Sequence, residues 1–252
     1  MSWSDVLILG GSLALSVLLL WAVQRFVPHP SREGHNDVAG FIFAGVGVLY
    51  AVLLGFVVIS VWENVDAARQ TTFKEADALA GVYWISRDMP LPLGATIEHA
   101  TLDYAHTVED TEWPLMADHR SSPQATQEVY AIRAAVNSYQ PTTPAQQVLF
   151  DHAVTHVEDL ATERRARLTE VEDSVPPILW GALILGAVLT IGFTYLFGLS
   201  NSLAHALMVL TLTALVVGSL ILIKEMNYPF DGVTRIEPTA FQVFLDRLPA
   251  PR

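Results

Sequence analysis

The stretch that decides the fold is residues 39–62, AGFIFAGVGVLYAVLLGFVVISVW, in which 24 consecutive residues carry no formal charge. A helix that crosses the hydrocarbon core of a bilayer needs about 20 apolar residues. Residues 6–27, 177–197 and 203–223 have the same character, and the only formal charge in all four stretches is Arg25. We therefore predict four membrane-spanning helices, which excludes a water-soluble single domain.

The rest of the chain has the composition of a soluble protein. Outside the four stretches, 164 residues carry 39 of the 40 charges, close to the share of roughly 25 % that soluble proteins show. Apolar residues in this part repeat about every 3.6 positions, which is typical of helices. The predicted fold class is all-α, with a transmembrane hairpin at 1–62, an acidic helical soluble domain at 63–175, a second transmembrane hairpin at 176–223 and a C-terminal tail at 224–252.

Prolines predict where helices begin and break inside the soluble segment. Ser122 followed by Pro123, and Thr143 followed by Pro144, each combine a capping side chain with a proline in the first helical turn. We expect a helix to begin at each pair. Pro114 lies inside another helical pattern and predicts a kink or break there.

Basic residues predict how the chain is oriented in the membrane. An even number of spans places both termini and the soluble segment on one side, and seven basic residues lie near the spans on that side. The opposite side has Arg25 and Arg32. The positive-inside rule therefore favours a cytoplasmic soluble domain and cytoplasmic termini. Twelve arginines against two lysines point to a bacterial protein, hence to the inner membrane.

One face of the second span is lined with small residues. At 100° per residue, five of them fall within about 80° of one another: Gly40, Ala44, Gly47, Ala51 and Gly55. Small residues let helices approach closely in lipid, so we expect this stripe to pack against another helix or another subunit. Beyond Trp62 the same face continues with apolar residues as far as Tyr83. This continuity predicts one unbroken helix from about Asp37 to Asp88, roughly 78 Å long.

The opposite face of this helix is the candidate pore face. It carries Leu49, Val52, Phe56, Ser60 and Glu63, apolar at first and polar from Ser60. One interpretation is a surface that faces lipid and then water. The other is the wall of a pore in an oligomer, with Phe56 as a hydrophobic constriction and with Ser60 and Glu63 as a polar ring. The sequence leaves both open.

A charged residue interrupts the apolar seam of the last soluble helix. The seam includes Val157, Leu160 and Leu168, and Arg164 falls on it. An arginine on a packed surface needs a carboxylate partner, and Glu75 is our candidate for a structural ion pair. The alternative is that Arg164 extends to water.

Several function classes are disfavoured. His152 and His156 are four residues apart, but no HExxH pattern accompanies them, so we predict a solvated face and no metal. The sequence has no P-loop, GxGxxG or GxSxG pattern, so we predict neither a cofactor nor an enzyme. The soluble segment has 19 acidic and 8 basic residues, which disfavours nucleic acid as a partner. The apolar cores lack Asp, Glu and Lys, which proton-coupled transporters usually need there.

An ordered set of short motifs resembles a bacterial membrane family called DUF4239, also described as bestrophin-like. The matching segments are YAVLLGFVV at 50–58, VWE at 61–63, AR at 68–69, KEA at 74–76, EWPLM at 112–116, RRARL at 164–168, Pro177 with Trp180, and YPFDG at 228–232. Together they cover most of the chain in order, in a four-span layout.

The resemblance implies a fold and a function. Bestrophins are pentameric ion channels whose long second helix lines the pore, which would favour the pore interpretation of Phe56, Ser60 and Glu63. Acidic side chains around a vestibule concentrate cations, so we expect cations to be favoured over anions. Membrane lipids, inorganic ions and further copies of the chain are then the expected partners. The alternative is a membrane-anchored scaffold or sensor whose acidic domain binds a cytoplasmic protein.

Overall fold

The computed structural model describes residues 2–27 and 32–248, and this part of the chain is all-α, without strands. A π-helical turn at Val108–Glu112 separates the third and fourth helices. The helices are α1 (Trp3–Phe26), α2 (Asn36–Ser86), α3 (Leu93–Thr107), α4 (Trp113–Met116), α5 (Pro123–Asn137), α6 (Pro144–Glu172), α7 (Pro177–Thr194), α8 (Ser202–Glu225) and α9 (Thr239–Asp246).

The unbroken second helix is confirmed. α2 runs for 51 residues, Asn36–Ser86, through the position of Trp62 without a break. It ends two residues before the predicted Asp88. The Ser86 hydroxyl donates a hydrogen bond to the Tyr83 carbonyl at 2.7 Å, which fits a helix that is closing its last turn.

Four helical segments of the described chain are long and apolar enough to cross a membrane. They lie in α1, the first half of α2, α7 and α8. The third segment is shorter than the predicted 177–197, because α7 ends at Thr194. Just beyond this end, Arg32 Nη1 donates to the carbonyls of Tyr195 at 3.3 Å and Phe197 at 3.2 Å and so holds the segment that follows α7.

Asn36 and Gly198 join the start of α2 to the turn between α7 and α8. The Asn36 side-chain amide donates to the Gly198 carbonyl at 2.9 Å, and the Gly198 amide donates to Asn36 Oδ1 at 2.9 Å. A Cβ atom at position 198 would collide with the backbone nitrogen of Glu33, so only glycine allows this close approach.

The described chain divides into two compact units. The first unit holds the residues up to Trp62 together with Ser174–Asn227, and the second holds Glu63–Asp173 together with the residues from Tyr228 onward. Inside the first unit, a cluster around Tyr50, Ala187 and Val216 packs α2 against α7 and α8.

Polar contacts fix the helix ends of the first unit. The Lys224 ammonium near the end of α8 bonds the Asp5 carboxylate at the start of α1, at 2.8 Å. Asn201 caps the start of α8. Its side chain accepts hydrogen bonds from the amides of Leu203 and Ala204.

The predicted helix starts in the second unit are confirmed. The Ser122 side chain accepts a hydrogen bond from the Ala125 amide at the start of α5. Thr143 and Gln146 form a reciprocal capping box at the start of α6. The break expected around Pro114 takes the form of the π-helical turn, which ends at Glu112, two residues before the proline.

The C-terminal segment, which belongs to the second unit, packs against the core of that unit. Phe241 of α9 makes edge-to-face contacts with Tyr104 and Trp113. Trp113 Nε1 also donates to the Ile236 carbonyl at 2.9 Å. This segment therefore covers part of the core of the unit, a role that its place in the predicted tail at 224–252 did not indicate.

Candidate pore helix and buried ion-pair network

In the first unit, α2 is buried along one side only. Tyr50, Val57 and Val61 are buried, and Leu53 and Leu54 are partly buried against the neighbouring helices. These positions repeat every three or four residues, which places them on one face. The chain therefore covers only that face of the apolar half of α2.

The candidate pore face is uncovered. Leu49, Val52 and Phe56 are 74 %, 51 % and 70 % exposed, and Ser60 and Glu63 are also exposed. The five side chains follow one another at three- and four-residue spacing on a continuous helix, so they share a face. Three apolar side chains followed by two polar ones are therefore exposed along one face of α2.

The small-residue stripe is also left without a partner helix from the same chain. Ala44, Ala51 and Gly55 are exposed, and Gly40 and Gly47 are partly exposed. A Cβ atom on Gly47 or Gly55 would meet nothing within 4 Å. A flat surface of this kind remains free for close approach by another copy.

Past Glu63, the face of α2 that continues the small-residue stripe is buried. Val65, Thr72, Ala76 and Leu79 are all buried within the second unit. The same face of one helix thus changes from uncovered to covered along its length, in step with its change from small residues to larger ones.

A buried network of two carboxylates and two guanidiniums lies in the second unit. Arg167 binds the Glu75 carboxylate through Nε to Oε2 at 2.5 Å and through Nη2 to Oε1 at 3.0 Å. Arg167 Nη2 also donates to Glu112 Oε2 at 2.8 Å. Arg164 holds Glu112 with both Nη atoms, with Nη2 to Oε1 at 2.8 Å. The four side chains join α2, the π-helical turn and α6.

The predicted ion pair between Glu75 and Arg164 is corrected by this geometry. Arg164 is buried and does need a carboxylate, but its direct partner is Glu112. Glu75 is taken by Arg167. Arg167 lies three residues after Arg164, nearly one turn further along α6, which brings it to the level of Glu75. The two predicted residues are linked indirectly, through Tyr104, whose hydroxyl donates to Glu75 and accepts from Arg164 at 3.4 Å. They are also linked through Glu112 and Arg167.

Aromatic rings complete the surroundings of the network. The Arg167 guanidinium lies 5.5 Å from the centre of the Trp113 ring and 5.9 Å from that of Phe241. Arg164 lies 5.8 Å from the centre of the Tyr104 ring. Cation–π attraction of this kind strengthens when water is excluded, so the rings stabilise the two charges.

The network is electrically balanced, and its ion pairs favour the charged forms of Glu112 and Arg167. Burial alone would raise the pKa of Glu112, but Arg167 and Arg164 outweigh it, and the pKa lies below its ordinary value. Burial would lower the pKa of Arg167, yet Glu75 raises it well above the ordinary value. Two negative and two positive charges cancel, so the acidic excess of the soluble segment lies elsewhere.

Glu170 is a partly buried carboxylate that has no basic side chain in direct contact among the described residues. Thr71 Oγ1 donates to Glu170 Oε1 at 2.9 Å, whereas Oε2 is buried and has no hydrogen-bond partner. Burial raises the pKa of Glu170 above its ordinary value, and the nearby Glu163 and Asp173 add to the effect. This carboxylate therefore costs stability when it is charged.

The two histidines of α6 differ in their surroundings. His152 is exposed, whereas His156 is partly buried. A Cβ at Gly81 would overlap the His156 ring, so glycine is what admits the ring against α2. Within the described residues no group of three or more His, Cys, Asp or Glu side chains is placed to hold a metal ion.

Sequence reasoning missed two members of the network, Arg167 and Glu112. Arg167 was counted with the basic residues near the spans, yet it lies on the buried side of α6 with Val157, Leu160 and Val171. Its three-residue spacing from Arg164 was the available signal. Glu112 had no comparable signal, because its contact with α6 joins residues that are 52 positions apart.

Comparisons with known proteins give a family and a fold. A model of the Bestrophin-like domain matches residues 10–241. A mutant form of a bacterial bestrophin homologue from Klebsiella pneumoniae superposes with a TM-score of 0.71 at 13 % identity, covering 96 % of this chain and 98 % of that one. Another structure of the Klebsiella pneumoniae homologue gives 0.70 at 13 % identity, with 96 % and 97 % covered.

A third structure, described as a membrane protein carrying a point mutation, gives a TM-score of 0.72 at 12 % identity and covers 97 % of this chain and 98 % of that one. At these identities the likeness concerns the fold. No curated protein matches the chain significantly.

Proposed function

Because the chain belongs to the bestrophin-like family, we propose that it is a membrane ion channel built from several copies of itself, with α2 lining the pore. The family match and the bestrophin fold support an ion-channel type of function, and the four apolar helices support a membrane protein. A ring of five copies is the assembly that the bestrophin resemblance implies.

One observation carries this proposal most directly. The apolar half of α2 is covered by its own chain on a single face, so the candidate pore face and the small-residue stripe are both uncovered. In a ring of subunits, the stripe would meet a neighbouring copy and the pore face would turn to the axis. A single copy leaves both surfaces without a protein partner.

Phe56 is the proposed constriction. It is large, apolar and strongly exposed, and rings of apolar side chains close pores by excluding water. Ser60 and Glu63 follow it one and two turns later on the same face. We assign them the polar ring at the mouth, where one carboxylate from each copy would meet permeating ions.

The charge distribution supports cations as the permeant ions. The soluble segment has a net charge of −11, and the buried network contributes nothing to it. Acidic side chains around a narrow entrance raise the local concentration of cations and repel chloride. Replacing Glu63 by Gln is expected to reduce this preference.

The test is recording from purified protein in planar lipid bilayers. We expect cation-selective currents from the natural sequence and larger currents from Phe56→Ala, because the smaller side chain widens the constriction. Leu185→Ala is the matched control, since Leu185 is an apolar residue of α7 that is also more than half exposed. Silence of both the natural protein and Phe56→Ala in sodium, potassium and chloride overturns the proposal. A stoichiometric cytoplasmic partner in crosslinked cells would then support the scaffold alternative.

We also propose that the protein lies in the bacterial inner membrane with the soluble segment and both termini in the cytoplasm. The chain has no cysteine, so a single introduced cysteine is a unique label. Gly34→Cys lies in the loop before α2, and Arg133→Cys lies on the exposed side of α5. A membrane-impermeant maleimide should label the first in intact spheroplasts and the second only after lysis. The reverse pattern contradicts the orientation.

A further inference from the structure

A cavity in the first unit lies among α1, α7 and α8. Its volume is about 320 Å³, and its walls are mostly aliphatic. Leu15, Ile184 and Val188 line it and are themselves more than half exposed. The cavity is therefore open at the surface of the apolar helices, where the surrounding medium in a membrane is lipid.

Three hydroxyl groups meet at the wall of this cavity. Ser16 Oγ lies 2.8 Å from the Tyr195 hydroxyl and 2.9 Å from Thr213 Oγ1. Ser16 and Thr213 are 3 % and 1 % exposed, and all three residues line the cavity. We call these residues the hydroxyl triad.

The hydroxyl triad has a hydrogen-bond donor to spare. Each hydroxyl supplies one donor, so the triad has three, but its two mutual hydrogen bonds use only two. None of the three makes another hydrogen bond within the described part of the chain. A hydrogen-bond donor without an acceptor in hydrocarbon costs free energy. The hydroxyl triad can therefore donate a hydrogen bond to an acceptor that does not belong to the protein.

The depth of the hydroxyl triad limits what that acceptor is. Ser16 lies 13 residues from the first residue of α1 and 10 from the last, which is about 20 Å and 15 Å at 1.5 Å per residue. It is therefore near the middle of a hydrocarbon layer about 30 Å thick. Phospholipid ester groups lie at the edge of that layer, out of reach. An acceptor at this depth must belong to a molecule whose polar group dissolves in hydrocarbon.

We propose that this cavity binds a lipid-soluble quinone. The ring carbonyl of a quinone accepts the spare hydrogen bond, the ring fits a space of this volume, and the apolar tail leaves between the exposed aliphatic side chains. The proposal concerns binding of the quinone and no chemical reaction. It does not depend on whether α2 lines a pore.

The experiment measures saturable binding of tritiated decylubiquinone to the whole protein in lipid nanodiscs, with empty nanodiscs subtracted. We expect saturable binding that an excess of unlabelled decylubiquinone displaces. Decylbenzene, which has the same tail but no oxygen, should displace it poorly. Absence of saturable binding, or equal displacement by decylbenzene, overturns the proposal without the need for any variant.

Two variants and two matched controls locate the site. Gly192→Leu fills the cavity, since a Cβ there meets nothing within 4 Å, and it should abolish binding. Gly181→Leu is equally unobstructed on the same helix but outside the cavity, and it should bind normally. The combined variant Ser16→Ala, Tyr195→Phe and Thr213→Val removes every donor of the hydroxyl triad and should weaken binding about tenfold, the effect of one hydrogen bond.

Thr211→Val is the control for the hydroxyl, because Thr211 is exposed and bonds only the Leu207 carbonyl of its own helix. Unchanged binding is the expected result. Equal binding by Gly192→Leu and the natural protein would overturn the site, as would equal weakening by Thr211→Val and by the combined variant of the hydroxyl triad.

Discussion

Arg167 and Glu75 form a two-point ion pair in which both side chains are completely buried. The pair joins α6 to α2 and also neutralises part of the charge on Glu112 through a second contact of Arg167. Removing one member of a buried pair leaves the others as uncompensated charges, which costs more than the pair itself contributes.

We therefore expect Arg167→Met to destabilise the protein by about 3–5 kcal/mol. Thermal unfolding in detergent, followed by circular dichroism, measures the effect. Arg165→Met on the same helix is the control, since Arg165 is exposed and should change stability by no more than about 0.5 kcal/mol. Equal stability of the two variants would contradict the role assigned to the network.

A double-mutant cycle distinguishes the partner of Arg164. The coupling free energy between Arg164→Met and Glu112→Gln should be large, about 2–3 kcal/mol, because the two side chains share hydrogen bonds. The coupling between Arg164→Met and Glu75→Gln should be smaller, since Tyr104 separates them. A larger coupling with Glu75 would restore the pair that the sequence predicted.

Glu170 gives the protein a stability that depends on pH. Because burial raises its pKa above the ordinary value of 4.5, this group favours the folded state below that pH and loses the contribution as pH rises through its raised pKa. Glu170→Gln should therefore melt at a higher temperature than the natural protein at pH 8, with the advantage gone at pH 4. Glu158→Gln, exposed on the same helix, should show no such trend. An advantage that grows as pH falls would be the wrong sign.

The contact between Gly186 and Tyr50 sets the spacing of α7 and α2. A Cβ atom at position 186 would overlap the Tyr50 ring. Gly186→Ala should therefore lower the melting temperature, and Tyr50→Ala in the same chain should recover part of the loss. Gly181→Ala, which meets no neighbour within 4 Å, should be neutral or slightly stabilising. Unaltered melting of Gly186→Ala alone would show that the ring moves aside at no cost.

Local features of this fold could be predicted from the sequence because they depend on neighbours in the chain. The caps at Ser122 and Thr143 depend on residues three positions away. The continuity of α2 could be predicted because one face of the helix carries small residues before Trp62 and apolar residues after it. That face can therefore pack along the whole length of the helix. The bestrophin-like resemblance is likewise confirmed by the family match.

Features that depend on distant residues could not be predicted in the same way. The hydrogen bonds that hold the segment after α7 come from Arg32, more than 160 positions earlier. The partner of Arg164 depends on where the π-helical turn places Glu112. α9 is only eight residues long, and its aromatic side chains have a packing role that becomes visible only with Trp113 and Tyr104 in place.

The reciprocal hydrogen bonds between Asn36 and Gly198 have a mechanical consequence. They hold the start of α2 against the turn between α7 and α8, at a point where the backbones are too close for any side chain on residue 198. At the other end of α8, Lys224 is held to Asp5 at the start of α1. The apolar helices are thus tied together near both ends of α8, so tilting of one helix against another is opposed at each end.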